Sequence, residues 1–220
     1  MPPKTALDRP TLVTAALKLL DEVGLDGLSL RRLATTLDVQ APAIYWHFKH
    51  KQDLLDEMAS TTLVTGIRQI RLNPAMRWDK WAMAYGKGLR QILLLHRDGA
   101  RMISGTRLTD TSLYEPMERS LRILANAGFS PRSAVTALTT IYCYVVGFVI
   151  EEQAVFPMPG ERNDFYNVEK RSERIDPDKL PLARNAGEFL FSDFDRRFNN
   201  GLKLIVSGLA TQIKSTRSTR

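Results

Sequence analysis

The sequence predicts an all-α protein: a three-helix N-terminal unit with a helix-turn-helix outline, followed by a larger helical unit. Three observations carry this reading. Apolar residues recur at helical spacing from Pro10 onward, capping and stop signals punctuate them, and no stretch alternates apolar and polar residues as a strand does. A boundary near residue 50 divides the 220 residues into 1–50 and 51–220.

In the first helix Leu12, Val13, Ala16, Leu17, Leu20 and Val23 form the apolar face. Asp8 caps it, Pro10 fits its first turn, and Gly24 and Gly27 flank the loop that ends it. Ser29 caps a second helix carrying Leu30, Leu33, Ala34 and Leu37, so short that it depends on tertiary packing. Asp38 stands where the chain turns, because aspartate tolerates the left-handed conformation, and Val39 plugs the turn. A third helix starts near Ala41 or Pro42, where the missing proline N–H costs little, and ends near His47. From Lys51 a longer helix places Leu54, Leu55, Met58 and Leu63 on one face.

Helices are expected at 78–96, briefly within 96–108, at 112–128 and from Ser130-Pro131 to about 153. Residues 157–178 mix Pro, Gly and alternating charges, and predict a mobile loop with one turn of helix. Two helices follow, near 179–190 and 194–214, before a polar tail, "KSTRSTR", expected to fray.

Composition narrows the class. A hydrophobic share of 44% with 25% charged residues belongs to a folded globular chain. The net charge of +7 permits a polyanionic partner, yet residues 1–51 hold seven Lys and Arg against five Asp and Glu, so nucleic-acid contact must come from geometry. Cys143 is the only cysteine, which excludes an internal disulfide and a cysteine zinc site and fits a reducing, cytoplasmic setting. The longest apolar run, "AVTALTTIYCYVVGFVI", has 17 residues, three of them threonine, and stops at Glu151 and Glu152. That is short of the roughly 20 residues of a membrane span, so it is expected to be a core or interface helix. With three histidines, two of them in the N-terminal unit, and no phosphate loop or nucleophile elbow, an enzyme is not expected.

The stretch "VQAPAIYWHFKHK", Val39 to Lys51, concentrates the chemistry. Ile44 and Phe48, four apart, claim the buried face. Neighbours on a helix diverge by about 100°, so Tyr45 and Trp46 cannot both follow them inward. His47 and His50 make no recognisable metal pattern, and neither metal nor cofactor is expected.

With that outline in place, "LVTAALKLLDEVGLDGLSLRRLATTLDVQAPAIYWHFKHKQDLLDEM" resembles the DNA-binding domain of the tetracycline-repressor (TetR) family of transcriptional regulators. "LHRDGARMISGTRL", "ANAGFS", "GFVIEEQ" and "GLKLIVSGL" resemble the regulatory core of its tetracycline-binding members. The resemblance implies a homodimeric repressor whose third helices enter successive major grooves of a palindromic double-stranded operator, about 34 to 36 Å apart. It implies that Arg31 reaches a guanine edge and that Tyr45, Trp46, His47 and Lys51 grip phosphates or flanking bases. Ala41 and Ala43, around Pro42, take positions where the tetracycline-binding members carry a base-facing glutamine and threonine. Methyl groups can touch a thymine methyl but cannot hydrogen-bond, so a different operator is expected.

The same resemblance places an effector pocket at Ile67, Tyr85, Leu89, Ile103, Thr106, Arg107, Leu108, Ser120, Cys143 and Glu151. Ile103 stands where the tetracycline-binding members have the histidine that ligates magnesium, and Ile67 where a second histidine bonds the drug. Tyr85, Leu89, Cys143 and Ser120 replace an asparagine, a phenylalanine, a histidine and a glutamine. These exchanges imply an apolar or aromatic small-molecule effector of drug-like size. The residues themselves leave a plainer alternative open: Ile67, Leu89 and Ile103 suit any helical core, and Arg107 and Glu151 can be a structural ion pair. A ligand-independent DNA-binding dimer, or a regulator that binds a tetracycline without metal, also remains open. Val145, Val146, Val149, Leu202, Ile205, Val206 and Leu209 are the expected dimer face.

Overall fold

The computed structural model describes residues 7–70 and 75–218, with side chains described through Ile213. In chain order the helices are α1 Arg9–Gly27, α2 Leu30–Thr36, α3 Ala41–His47, α4 Lys51–Gln69, α5 Trp78–Leu93 and α6 Gly99–Ile103. They continue as α7 Tyr114–Asn126, α8 Pro131–Val155, α9 Val168–Glu173, α10 Pro181–Leu190 and α11 Phe194–Ser218. There is no strand among the described residues.

The expected local signals set the N-terminal helix boundaries. Asp8 accepts the Thr11 N–H at 2.9 Å, and Ser29 accepts the Arg32 N–H at 3.1 Å. Helical geometry breaks at Gly24, whose φ of 70° is open to glycine at little cost, and Asp38 makes the turn at φ 52°. Helix α4 opens with Asp53 accepting the His50 N–H. Leu12, Leu20, Leu33, Ile44 and Phe48 are sealed from solvent beneath the first half of α4, which adds Leu54 and Met58.

The second half of α4 packs on α5, and Gly66 makes the close approach possible: a Cβ there would lie 2.4 Å from Ile92 Cγ1. Helix α8 runs against α5, α6, α7 and α11. By length and composition it is long and apolar enough to cross a membrane, yet it buries Ile141, Val145 and Val149 among these neighbours. Near its C-terminal end Glu152 takes both arms of Arg90, at 2.5 and 2.8 Å, and Gln153 bridges the Ala100 N–H and the His96 carbonyl.

Three expectations change. Val145, Val146, Val149, Leu202 and Val206 are buried within the protomer rather than offered to a partner. Helix α8 turns Cys143, Gly147 and Glu151 outward instead, and α11, which packs on it, exposes Leu204 to 75%. Residues 157–178 hold more than one turn of helix: a 3-10 turn at Asp164–Tyr166 and α9, which packs on α10. Helix α11 continues to Ser218, past its expected end; side chains from Lys214 and residues 219–220, where the frayed tail is expected, lie outside the described residues.

Gly99 offers a test of the core. An added Cβ would meet the Leu93 carbonyl oxygen at 2.2 Å, which is backbone and cannot step aside. Gly99→Ala is therefore expected to destabilise the protein by about 1–3 kcal/mol despite alanine's better helix propensity. Chemical denaturation measures this, and an unchanged midpoint would contradict the packing.

Candidate nucleic-acid interface and effector site

Helix α3 is seven residues long, so its placement comes from its two anchors, Ile44 and Phe48, both fully buried. The anchors turn the intervening residues outward. Trp46 is 86% exposed and Tyr45 43%, so two adjacent aromatic rings face solvent on α3. Pro42 is exposed and Ala41, Ala43 and His47 are half-buried, while Arg31 projects from α2. Lys51 is committed elsewhere as well: its Nζ donates to the Leu25 carbonyl at 2.7 Å and ties the start of α4 to the end of α1.

Beyond the N-terminal unit, the structure gathers only part of the expected effector set. Ile103 and Leu89 are buried, and half-buried Ile67 and Tyr85 pack on the same apolar cluster. Tyr85 stacks on Trp81 with ring centroids 5.2 Å apart. Burial, with Tyr142 adding to it, pushes the Tyr85 phenol well above its usual range, so it stays a neutral hydroxyl at physiological pH. Thr106 Oγ1 donates to the Ile103 carbonyl at 2.7 Å, and buried Ser120 Oγ donates to the Pro116 carbonyl at 2.8 Å.

Arg107, Leu108, Cys143 and Glu151 are exposed and do not join this cluster. On α8 they are a matter of helical phase: Cys143 and Glu151 sit two turns apart on the outward face. The Arg107–Glu151 pair does not form. Arg107 bonds Asp56 instead, through its backbone N–H at 3.1 Å and Nε at 3.2 Å. Two clefts, of about 370 Å³ beside Trp78 and Ile213 and about 500 Å³ between α1 and Leu37, contain none of the expected effector residues.

The sequence reading missed Asp56. Its carboxylate is almost fully buried on α4 and also accepts from Gln52 at 2.8 Å. Burial alone raises a carboxyl pKa, but the hydrogen bonds from Gln52 and Arg107 outweigh it and hold Asp56 below its usual value. One turn later, buried Ser60 accepts the Thr109 N–H at 2.7 Å. The available signal was a polar pair four apart, Asp56 and Ser60, continuing a stripe that includes Ala59 and Leu63.

Comparison with known proteins decides the family. The family model described as "Bacterial regulatory proteins, tetR family" matches residues 12–58, and "Tetracyclin repressor-like, C-terminal domain" matches 72–213. The chain is 41% identical over 207 residues to the tetracycline repressor protein class A from transposon 1721 of Escherichia coli, covering 94% of this chain and 92% of that one. The chain belongs to the TetR family. Among solved structures, a possible TetR family transcriptional regulator from Streptomyces coelicolor A3(2) superposes with a TM-score of 0.80 at 34% identity, covering 93% of this chain and 99% of that one. TetR(class A) in complex with 5a,6-anhydrotetracycline and magnesium superposes with a TM-score of 0.67 at 35% identity, covering 91% and 96%. The protein is thus a TetR-family transcriptional repressor with a helix-turn-helix head and a ligand-binding C-terminal domain.

In this TetR-family chain the Asp56 anchor makes a pH prediction. A carboxylate with a depressed pKa contributes stability above its unfolded pKa and loses it as pH falls through the folded value. Asp56→Asn is expected to cost roughly 1–3 kcal/mol at pH 7, and the gap to the parent protein should close below about pH 4. Urea melts across pH 3–7 measure it; a gap independent of pH would mean the charge is irrelevant.

Proposed function

We propose that the protein binds a palindromic operator as a homodimer and is released from it by a small effector with a mainly apolar or aromatic surface. The observation that carries the DNA half is the outward pair Tyr45 and Trp46, held on a helix whose other face is sealed by Ile44 and Phe48. Together with Arg31, exposed on the neighbouring α2, they offer one guanidinium and two rigid rings suited to phosphates, base edges and thymine methyls. Ala41 and Ala43 add no hydrogen bond, so reading is expected to rest on Arg31 and on shape.

Homodimerisation is supported by the outward faces of α8 and α11. Leu204 and Val135 are exposed there, and a Cβ on Gly147 or Gly208 would meet nothing within 4 Å, leaving room for close approach of a second copy. For the effector, Ile67, Tyr85, Leu89 and Ile103 supply the apolar lining, and Thr106, Arg107 and Ser120 the polar groups. Ile103 presents methyl groups, which cannot ligate a metal, at the position where the resemblance implies the magnesium ligand, so the residues present do not fit a magnesium-anchored drug. A second reading, a dimer that binds DNA without an effector, is favoured by one observation: the expected lining is packed into the core and the two clefts lie elsewhere.

A thermal-shift screen of small molecules, tetracyclines among them, separates these readings. Hits that raise the melting temperature and release operator DNA support the effector reading, whereas hits without release favour the second. Operator affinity, on a duplex selected from random sequence, should fall with salt at a log–log slope of about −0.9 per phosphate contact. Tyr45→Ala should weaken it at least tenfold, which is about 1.4 kcal/mol; unchanged binding would remove α3 from the interface. Leu204→Glu is expected to shift the protein to a monomer by light scattering, and a persistent dimer would place the interface on another face.

A further inference from the structure

The reading helix is short, and what fixes its C-terminal end is a residue outside it. Arg9 is the first residue of α1. Its Nη1 donates to the His47 carbonyl at 2.8 Å, its Nη2 pairs with Glu57 Oε2 on α4 at 3.1 Å, and its guanidinium lies 4.5 Å from the centroid of the Phe48 ring. One side chain therefore touches the end of α3 and the middle of α4 from the start of α1.

We infer that Arg9 is a positioning residue for operator reading, which sets the tilt of α3 against α1 and α4 and is not itself a reading contact. The inference rests on the DNA-binding reading above and deepens it. Each contact has a physical reason. The last carbonyls of a helix lack intrahelical partners and carry the negative end of its dipole, so a cation donating to His47 stabilises the terminus. A seven-residue helix has little stability of its own to resist tilting. Tyr45 and Trp46 are two residues and one residue from that carbonyl, so any tilt displaces both. The planar, forked guanidinium can stack and bond in two directions together, which a lysine ammonium cannot. Glu57 is the sequence neighbour of Asp56, which holds the 106–109 loop. Adjacent residues of α4 thus grip the effector-side loop and the end of the reading helix.

The test separates position from charge. The wild-type protein first selects an operator from random duplexes, and binding of operator and of random duplex is then measured across salt concentrations for Arg9→Lys, Arg9→Ala and Glu57→Ala. All three are expected to lose about tenfold in operator affinity while random-duplex affinity stays within twofold and the salt slope is unchanged, with Tm held within a few degrees. The Glu57→Ala result is diagnostic in sign, because removing a negative charge near DNA strengthens binding if electrostatics alone act. Wild-type operator affinity in Arg9→Lys, tighter binding by Glu57→Ala, or an Arg9→Ala loss equal on both duplexes with the slope reduced by about one phosphate would each overturn the inference. Failure of the wild type to select any duplex would sink the DNA-binding reading and this inference together; a selected operator bound normally by the variants sinks only this one.

Discussion

A carboxylate buried in the middle of a helix must be answered by donors, and the answer given to Asp56 organises much of this protein. An unpartnered buried charge costs several kcal/mol, so the chain around Arg107 is held wherever α4 puts Asp56. Ser60, about 6 Å further along the helix axis, takes the Thr109 N–H in the same way. The loop between α6 and α7 is therefore fastened to α4 at two points one turn apart. Helix α4 also closes the core of the N-terminal unit through Leu54 and Met58. A displacement of the loop cannot leave the head untouched unless these bonds break.

A second seam joins the two units at the corner between α5 and α6. Asp21 of α1 accepts the Arg97 N–H at 2.9 Å and meets His96 Nδ1 at 2.9 Å, and Asp98 accepts the Leu25 N–H at 2.8 Å from a left-handed conformation. Arg101 adds an ion pair with Asp26, whose carboxylate is largely exposed. Exposed pairs of this kind contribute about 0–1 kcal/mol each; the Asp56 carboxylate is buried, while the Arg107 side chain that meets it is 83% exposed. The head is thus held both along α4 and at the corner, by part-buried hydrogen bonds in each place. For the effector proposed above to act on the head, it needs differential affinity for two arrangements of α4 relative to these bonds.

Much of the N-terminal unit was legible because its determinants are local. Asp8, Pro10, Gly24, Ser29, Asp38 and Pro42 each act on their own few residues of backbone, and Ile44 and Phe48 declare the buried face of α3 by spacing alone. The regulatory half resisted because its determinants are a matter of phase and partnership. Helix α8 is apolar on more than one side, so Val145 and Val149 look as fit for a partner's surface as Cys143 and Gly147 do. Only packing against α5 and α11 decides that the valines turn inward. Arg107 met the same limit: its partner is 51 positions back in sequence, and nothing local distinguishes Asp56 from a solvent-facing helix acid.

Those phase relations also bear on what an effector must do. Leu89 and Ile103 belong to the buried core and Ile67 packs against it, so the effector proposed above would replace apolar contact rather than fill a polar void. Each buried aliphatic side chain represents roughly 1.5–3 kcal/mol of burial, and a ligand that parts two or three of them recovers this only with comparable apolar area of its own. A small polar metabolite has no such surface. On the proposed reading, the neutral Tyr85 hydroxyl is the polar group carried by that apolar set, while the Arg107 side chain lies at the surface. Because Arg107 is also the donor to Asp56, a ligand group that drew its guanidinium away would leave a buried carboxylate short of a partner. Under the proposed function, such a loss at Asp56 would bear on α4 and, through Leu54 and Met58, on the core that carries α3.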